Sequence, residues 1–121
     1  MDMKELLKLG EDMAEEDFEV FATQARKASS FLKALSHESR LMILCILSDG
    51  EKSVGEIETV LGLPQSVVSQ QLARLRLERV VRTRRDGRQI YYSIADENVL
   101  KVIGILYDIF CRPLLEERRQ S

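Results

Sequence analysis

Apolar residues recur at helical spacing along most of the chain and switch to strand-like runs over one short stretch. Residues 3 to about 16 mix charge with Leu6, Leu7, Leu9 and Met13, which predicts a short amphipathic helix weakened by Gly10. From Phe18 to Leu35 the apolar positions Phe21, Ala25, Ala28, Phe31, Leu32 and Leu35 keep a 3.6-residue period. Ser36 suits the N-cap of a third helix running to about Ser48, with Ser39 at the capping-box position. Leu41, Ile43, Leu44, Ile46 and Leu47 make that helix apolar almost all round, so it is expected to be central and buried. Asp49-Gly50 ends it.

A Ser-x-x-Glu capping box, Ser53 with Glu56, opens a short helix striped by Val54, Ile57, Val60 and Leu61. Gly62 suits its C-cap, and Pro64 the first turn of the next helix. That helix is expected from Gln65 to about Arg79, with Val68, Leu72 and Leu75 facing inward. Gln65, Ser66, Ser69, Gln70 and Arg74 fall on its other side. The period then changes. Val80–Arg84 and Gln89–Ile94 are β-branched and aromatic, and the Asp86-Gly87 pair between them signals a hairpin. Asp96 caps a last helix to about Glu117, with a wide stripe from Val99 to Phe110 that suggests burial in a second subunit. Pro113 is expected to kink or end it near Arg112.

The 121 residues suffice for one domain, and the 45% apolar content is that of a folded protein. The expected division is an acidic helical extension over 1–17, a main domain over 18–117 and a tail over 118–121. No signal peptide or membrane-length apolar run is read, so the expected location is cytoplasmic. The net charge of −2 argues at first against a nucleic-acid partner, but its distribution reverses that. Seven arginines between Arg74 and Arg88 face only Glu78 and Asp86, a local charge of +5. Residues Met1–Glu19 carry −6. A polyanion is drawn to one region and repelled from the other.

A short helix, a tight glycine-containing turn, a polar-faced helix and a basic hairpin make the order of a winged helix-turn-helix. The expected fold is mainly α with a β-hairpin wing, α-α-α-α-β-β-α, dimeric through its first and last helices. The short polar side chains of the second helix allow close approach to base edges in the major groove. Arg84, Arg85 and Arg88 lie at or near the hairpin tip, within reach of phosphates or the minor groove. A plain solvated helix face is the alternative for Ser66, Ser69 and Gln70, but serine favours caps over helix interiors. No Ser-His-Asp set, phosphate loop or metal constellation suggests an enzyme, and no cofactor is implied.

Four ordered segments carry a resemblance. They are Leu35–Leu44, Ser53–Ile57, Gln65–Leu75 and Asp86–Tyr92, which together resemble the ArsR/SmtB family of bacterial repressors. The resemblance spans about residues 25 to 111. It implies a homodimer that binds double-stranded operator DNA and releases it on a chemical signal. Two departures stand out: Gln71, where many relatives have His, and Arg79, where many have Gly. The family's thiol metal site would need Cys-x-Cys in Val54–Ile57, and its other common site needs Asp and His from paired last helices. The single histidine, His37, reads as a capping or surface residue, so no metal site is expected.

Cys45 and Cys111 remain, and as a pair of ordinary thiols they could simply fill the core. Leu44-Cys45-Ile46-Leu47 and Tyr107–Cys111 also fall where the persulfide-sensing, SqrR- and BigR-like subgroup carries its reactive pair. That resemblance implies a persulfide or polysulfide inducer and a di- or tetrasulfide crosslink between Cys45, on a buried central helix, and Cys111. Arg40 and Arg112 are candidates for lowering a thiol pKa. HlyU-like regulators share the pair, which leaves another oxidant or a protein partner as alternatives. A helical interaction module without DNA binding is the reading from a different class.

Overall fold

The structure is a computed structural model that describes residues 4–5 and 14–120. The expected helix over 3–16 lies largely outside the described residues. The backbone divides into two compact units, Met1–Lys33 and Ala34–Ser121.

Helix α1 (Glu15–Leu35) occupies most of the first unit. Its first turn holds Glu15, Glu16 and Asp17, where carboxylates complement the positive end of the helix dipole. Phe18, Val20, Phe21 and Leu32 are exposed along it.

The second unit begins with the buried pair Ala34 and Leu35. Helix α2 (Glu38–Leu47) follows. Its N-cap is His37 rather than the expected Ser36, because His37 is extended and its Nδ1 accepts the Ser39 amide at 3.1 Å. His37 is thus a capping residue, as its place in the sequence suggested. Strand β1 (Lys52–Ser53) is too short to be visible as a pattern. Ser53 also caps helix α3 (Val54–Leu61) through a complete capping box: Glu56 N to Ser53 Oγ and Ser53 N to Glu56 Oε1, both 3.2 Å. Gly62, at φ 65°, closes α3 in the left-handed region.

Helix α4 (Gln65–Leu77) starts from Pro64 as N-cap, one residue outside the helix. It ends in a Schellman motif. Val80 N reaches Leu75 O at 2.9 Å and Arg79 N reaches Arg76 O at 3.0 Å, with Leu75 and Val80 buried together beneath. The motif requires a left-handed residue, and Arg79 supplies it at φ 61°. The sequence departure at Arg79 is therefore a side chain standing where glycine is unstrained.

Strands β2 (Val81–Asp86) and β3 (Gln89–Ile94) form the hairpin, and β1 adds to β3 to give the order β1-β3-β2, all antiparallel. The register pairs Asp86 with Gln89, so the two-residue turn is Gly87-Arg88 and not Asp86-Gly87. Gly87 takes φ 63° at the first central position, the conformation that this turn reserves for glycine. Helix α5 (Glu97–Leu106) is capped by Asp96, whose carboxylate accepts the Asn98 amide at 2.8 Å. It passes through a π turn (Tyr107–Cys111) into α6 (Arg112–Gln120). The helix therefore neither ends at Pro113 nor stops at Glu117. The widened turn falls where Pro113 removes the amide hydrogen that would bond the Ile109 carbonyl.

Ile43, Leu44, Ile57, Val68, Leu72, Leu75 and Val99 are fully buried and join α2, α3, α4 and α5 in one core. Val60, expected on the inner stripe of α3, is 67% exposed. No helix among the described residues is long and apolar enough to cross a membrane.

Candidate nucleic-acid interface and thiol pair

Helix α4 carries two faces, as its sequence predicts. Val68, Leu72 and Leu75 anchor it in the core, so its rotation about its own axis is fixed. Gln65, Ser66, Ser69, Gln70 and Arg74 are exposed on the outward side. Pro64 offers no side-chain cap, which leaves the first-turn amides of α4 without one. Arg74 lies 3.4 Å from Glu78, an exposed one-turn pair that holds the guanidinium only weakly.

A second restraint on α4 was not legible in the sequence. Arg40 of α2 donates from Nε to Ala34 O at 2.8 Å and from Nη1 to Gln71 Oε1 at 2.9 Å. The second bond ties α2 to α4 across 31 positions, at the residue noted only as a departure from the family's histidine.

The three arginines expected at the wing are not equivalent. Arg84 donates from Nη2 to Glu51 Oε1 at 2.6 Å and from Nε to Glu51 Oε2 at 3.1 Å. Its Cζ lies 4.8 Å from the centre of the Tyr91 ring. The hydrogen bond from Arg84 holds the Glu51 carboxyl below the usual carboxylate range. Arg85 and Arg88 are exposed and make no ion pair among the described residues.

The thiols sit elsewhere in this unit. Cys45 is exposed in the single chain, not buried as expected. Ile43 and Leu47 occupy the inner face of α2, and Cys45, two residues from each, is turned about 200° away. Cys45 borders a cleft of about 530 Å³ with Ser48, Leu100, Ile103, Gly104, Tyr107, Asp108 and Arg112. Cys111, also exposed, ends the π turn and borders an apolar hollow with Tyr107, Phe110, Leu114 and Leu115. Tyr107 lines both. Partial burial pushes the Cys45 thiol above the ordinary range, and the neighbouring Cys111 adds to that push. The arginines considered for the opposite effect are engaged: Arg112 Nη2 lies 2.9 Å from Asp108 Oδ1, and Arg40 holds Ala34 and Gln71. Among the described residues no three His, Cys, Asp or Glu gather as metal ligands.

Comparison with known proteins bears on the whole arrangement. Residues 37–83 match the family described as bacterial regulatory protein, arsR family. The chain is 41% identical over 102 residues to the biofilm growth-associated repressor of Agrobacterium fabrum, covering 84% of this chain and 87% of that one. It is 42% identical over 86 residues to the transcriptional activator HlyU of Vibrio cholerae, covering 71% and 80%. The crystal structure of the transcriptional repressor BigR from Xylella fastidiosa matches with a TM-score of 0.71 at 42% identity, covering 82% of this chain and 98% of that one.

Proposed function

The chain belongs to the arsR family of bacterial regulatory proteins and is a DNA-binding transcriptional regulator, not an enzyme, and on that premise we propose a thiol-switched repressor acting as a homodimer. The DNA reader is the outward face of α4. Gln65, Ser66, Ser69, Gln70 and Arg74 meet base edges and adjacent phosphates, while Arg85 and Arg88 of the wing meet the backbone. The observation that carries this is the pairing of a core-locked inner face with an exposed, short polar outer face on one helix. Repression is preferred on the likeness to two proteins described as repressors, although a third relative is described as an activator.

The second copy would cover the apolar residues that the single chain leaves exposed. Ile105, Ile109, Phe110 and Leu114 form one such group, and Phe18, Val20 and Phe21 of α1 another. The expected gain is large, since burying one such side chain contributes roughly 1.5–3 kcal/mol.

The inducer proposed is a persulfide or polysulfide acting on Cys45 and Cys111. Two features support this: each thiol is exposed, and Cys111 lies near enough to raise the Cys45 pKa. A thiolate attacks the sulfane sulfur, the S–S bond of the polysulfide breaks, and a shorter sulfide leaves with the electron pair. The second thiolate then attacks the bound persulfide and expels hydrosulfide, closing the crosslink. Two thiols are oxidised, and sulfane sulfur is reduced to sulfide. The raised pKa of Cys45 leaves less of it as thiolate near neutral pH than an ordinary thiol has, which suits the resolving step. A crosslink from α2 to the π turn would re-aim α4 in each protomer. Half-sites lie about 34–36 Å apart, so a small rotation suffices to lose one.

Intact mass measurement of polysulfide-treated protein, followed by proteolysis, tests this reading. A peptide pair joining Cys45 to Cys111 through two or more sulfurs is expected. Two unmodified thiols would remove the sensing model and leave a regulator that answers a different signal.

A further inference from the structure

We propose that Arg84 is a positioning residue that sets the wing, and not one of the arginines that touches DNA. This rests on the duplex-binding reading above. Arg84 and Arg85 are adjacent in β2 and therefore point to opposite faces of the sheet. The register places Arg84 opposite Tyr91 and Arg85 opposite Ile90. On the Arg84 face, Tyr91 is the middle of a three-strand row, because it also pairs with Ser53 of β1. Ser53 is the N-cap of α3, and Glu51 stands two residues before it.

The Arg84 guanidinium therefore lies over the ring of Tyr91 while its Nε and Nη2 edge grips both oxygens of Glu51. The grip spans the sheet, from the outer strand of the wing to the residue that leads into β1 and, through Ser53, into α3. An ordinary surface ion pair holds little, but a bidentate fork stacked on a ring loses several contacts if either partner moves. The fork also neutralises Arg84, so a phosphate would have to displace Glu51 to use it. Asp86, 3.9 Å from Arg84 Nη1, adds a second acid on the same side. Arg85 and Arg88 make no such pairing among the described residues and keep their full charge for DNA.

The two roles predict opposite signs for one substitution. Glu51→Gln removes a negative charge beside the wing. If Arg84 contacted phosphate, this would release it and tighten binding. As a clamp, the same change loosens the wing and weakens binding by about threefold. The probe is a duplex enriched from a random pool by the wild-type chain, titrated over a range of salt. Arg84→Gln is expected to weaken binding with the slope of log K against log salt unchanged. Arg88→Gln is expected to reduce that slope by about 0.9 per protomer. Backbone amide exchange in β2 and β3 of the free protein reads the clamp without DNA, and both Glu51→Gln and Arg84→Gln are expected to speed it. Tighter or unchanged binding by Glu51→Gln, a reduced slope in Arg84→Gln, or unchanged wing exchange would each overturn the proposal. A wild-type chain that shows no salt-dependent duplex binding would instead overturn the reading on which it stands.

Discussion

The end proposed to face DNA, with α4 and the wing, and the end that carries the two thiols are built on opposite principles. At the first, most boundaries are fixed, the uncapped start of α4 at Pro64 being the exception. Helix α3 has a capping box and a left-handed glycine, α4 has three fully buried anchors and a Schellman motif, and the wing is joined by a tight glycine turn. Such an end presents its side chains in one arrangement, which is what base readout needs. At the second, Cys111 sits on a π turn just before a proline, and Cys45 faces outward from α2 beside an open cleft. Departures from regular helix of this kind collect at functional sites, and they suit a region that must change arrangement. On the reading proposed above, the lesson is a division of labour: one end holds still so that the other can move it.

The contrast breaks most sharply if the exposed face of α4 is removed. Ser69→Ala with Arg74→Ala is expected to weaken operator binding at least about 100-fold, while sedimentation still reports the same oligomer. Unchanged binding would take the reader away from α4. The next largest effect should strike both ends together. Leu72 is fully buried beneath α4, and Leu72→Ala is expected to cost about 3 kcal/mol in denaturant unfolding. A cost below about 1 kcal/mol would mean that α4 is not locked to the core.

Smaller effects sharpen the comparison. Arg79 holds a left-handed conformation, so Arg79→Gly is expected to stabilise the fold by about 1 kcal/mol and to leave operator contacts intact. A lower Tm would show that the Arg79 side chain contributes more than its backbone costs. At the thiol end, burial and Cys111 both raise the Cys45 pKa, so alkylation of Cys45 is expected to accelerate only above the pH typical of a free thiol. Cys111→Ser removes the smaller cause, so the midpoint should fall but remain raised. The sign for stability follows: the folded state favours the protonated thiol, so this contribution is present below the ordinary thiol pKa and is lost as pH climbs through the raised one.

Much of the DNA-facing end was legible because its signals are local. Ser53 with Glu56, Gly62 before Pro64 and the spacing of Val68, Leu72 and Leu75 each act within a few residues. What escaped depends on distance or on neighbours. Glu51 grips Arg84 across 33 positions, and Arg40 grips Gln71 across 31. Strand β1 exists only because β3 offers it an edge. The exposure of Cys45 escapes the sequence because α2 is apolar on nearly every side, so its pattern does not reveal which side faces inward. Pro113 correctly marked a disturbance, yet nothing local distinguishes a helix stop from a widened turn that carries on.

The measurement closest to the central claim compares operator affinity before and after polysulfide, in the wild-type chain and in Cys111→Ser. The account predicts that treated wild-type protein loses at least about tenfold in affinity, regains it on reduction, and that Cys111→Ser binds as tightly as reduced wild type and does not respond. Equal affinity of treated and untreated wild type, with the Cys45–Cys111 crosslink verified by mass, would contradict the claim that the thiol end controls the recognition helix.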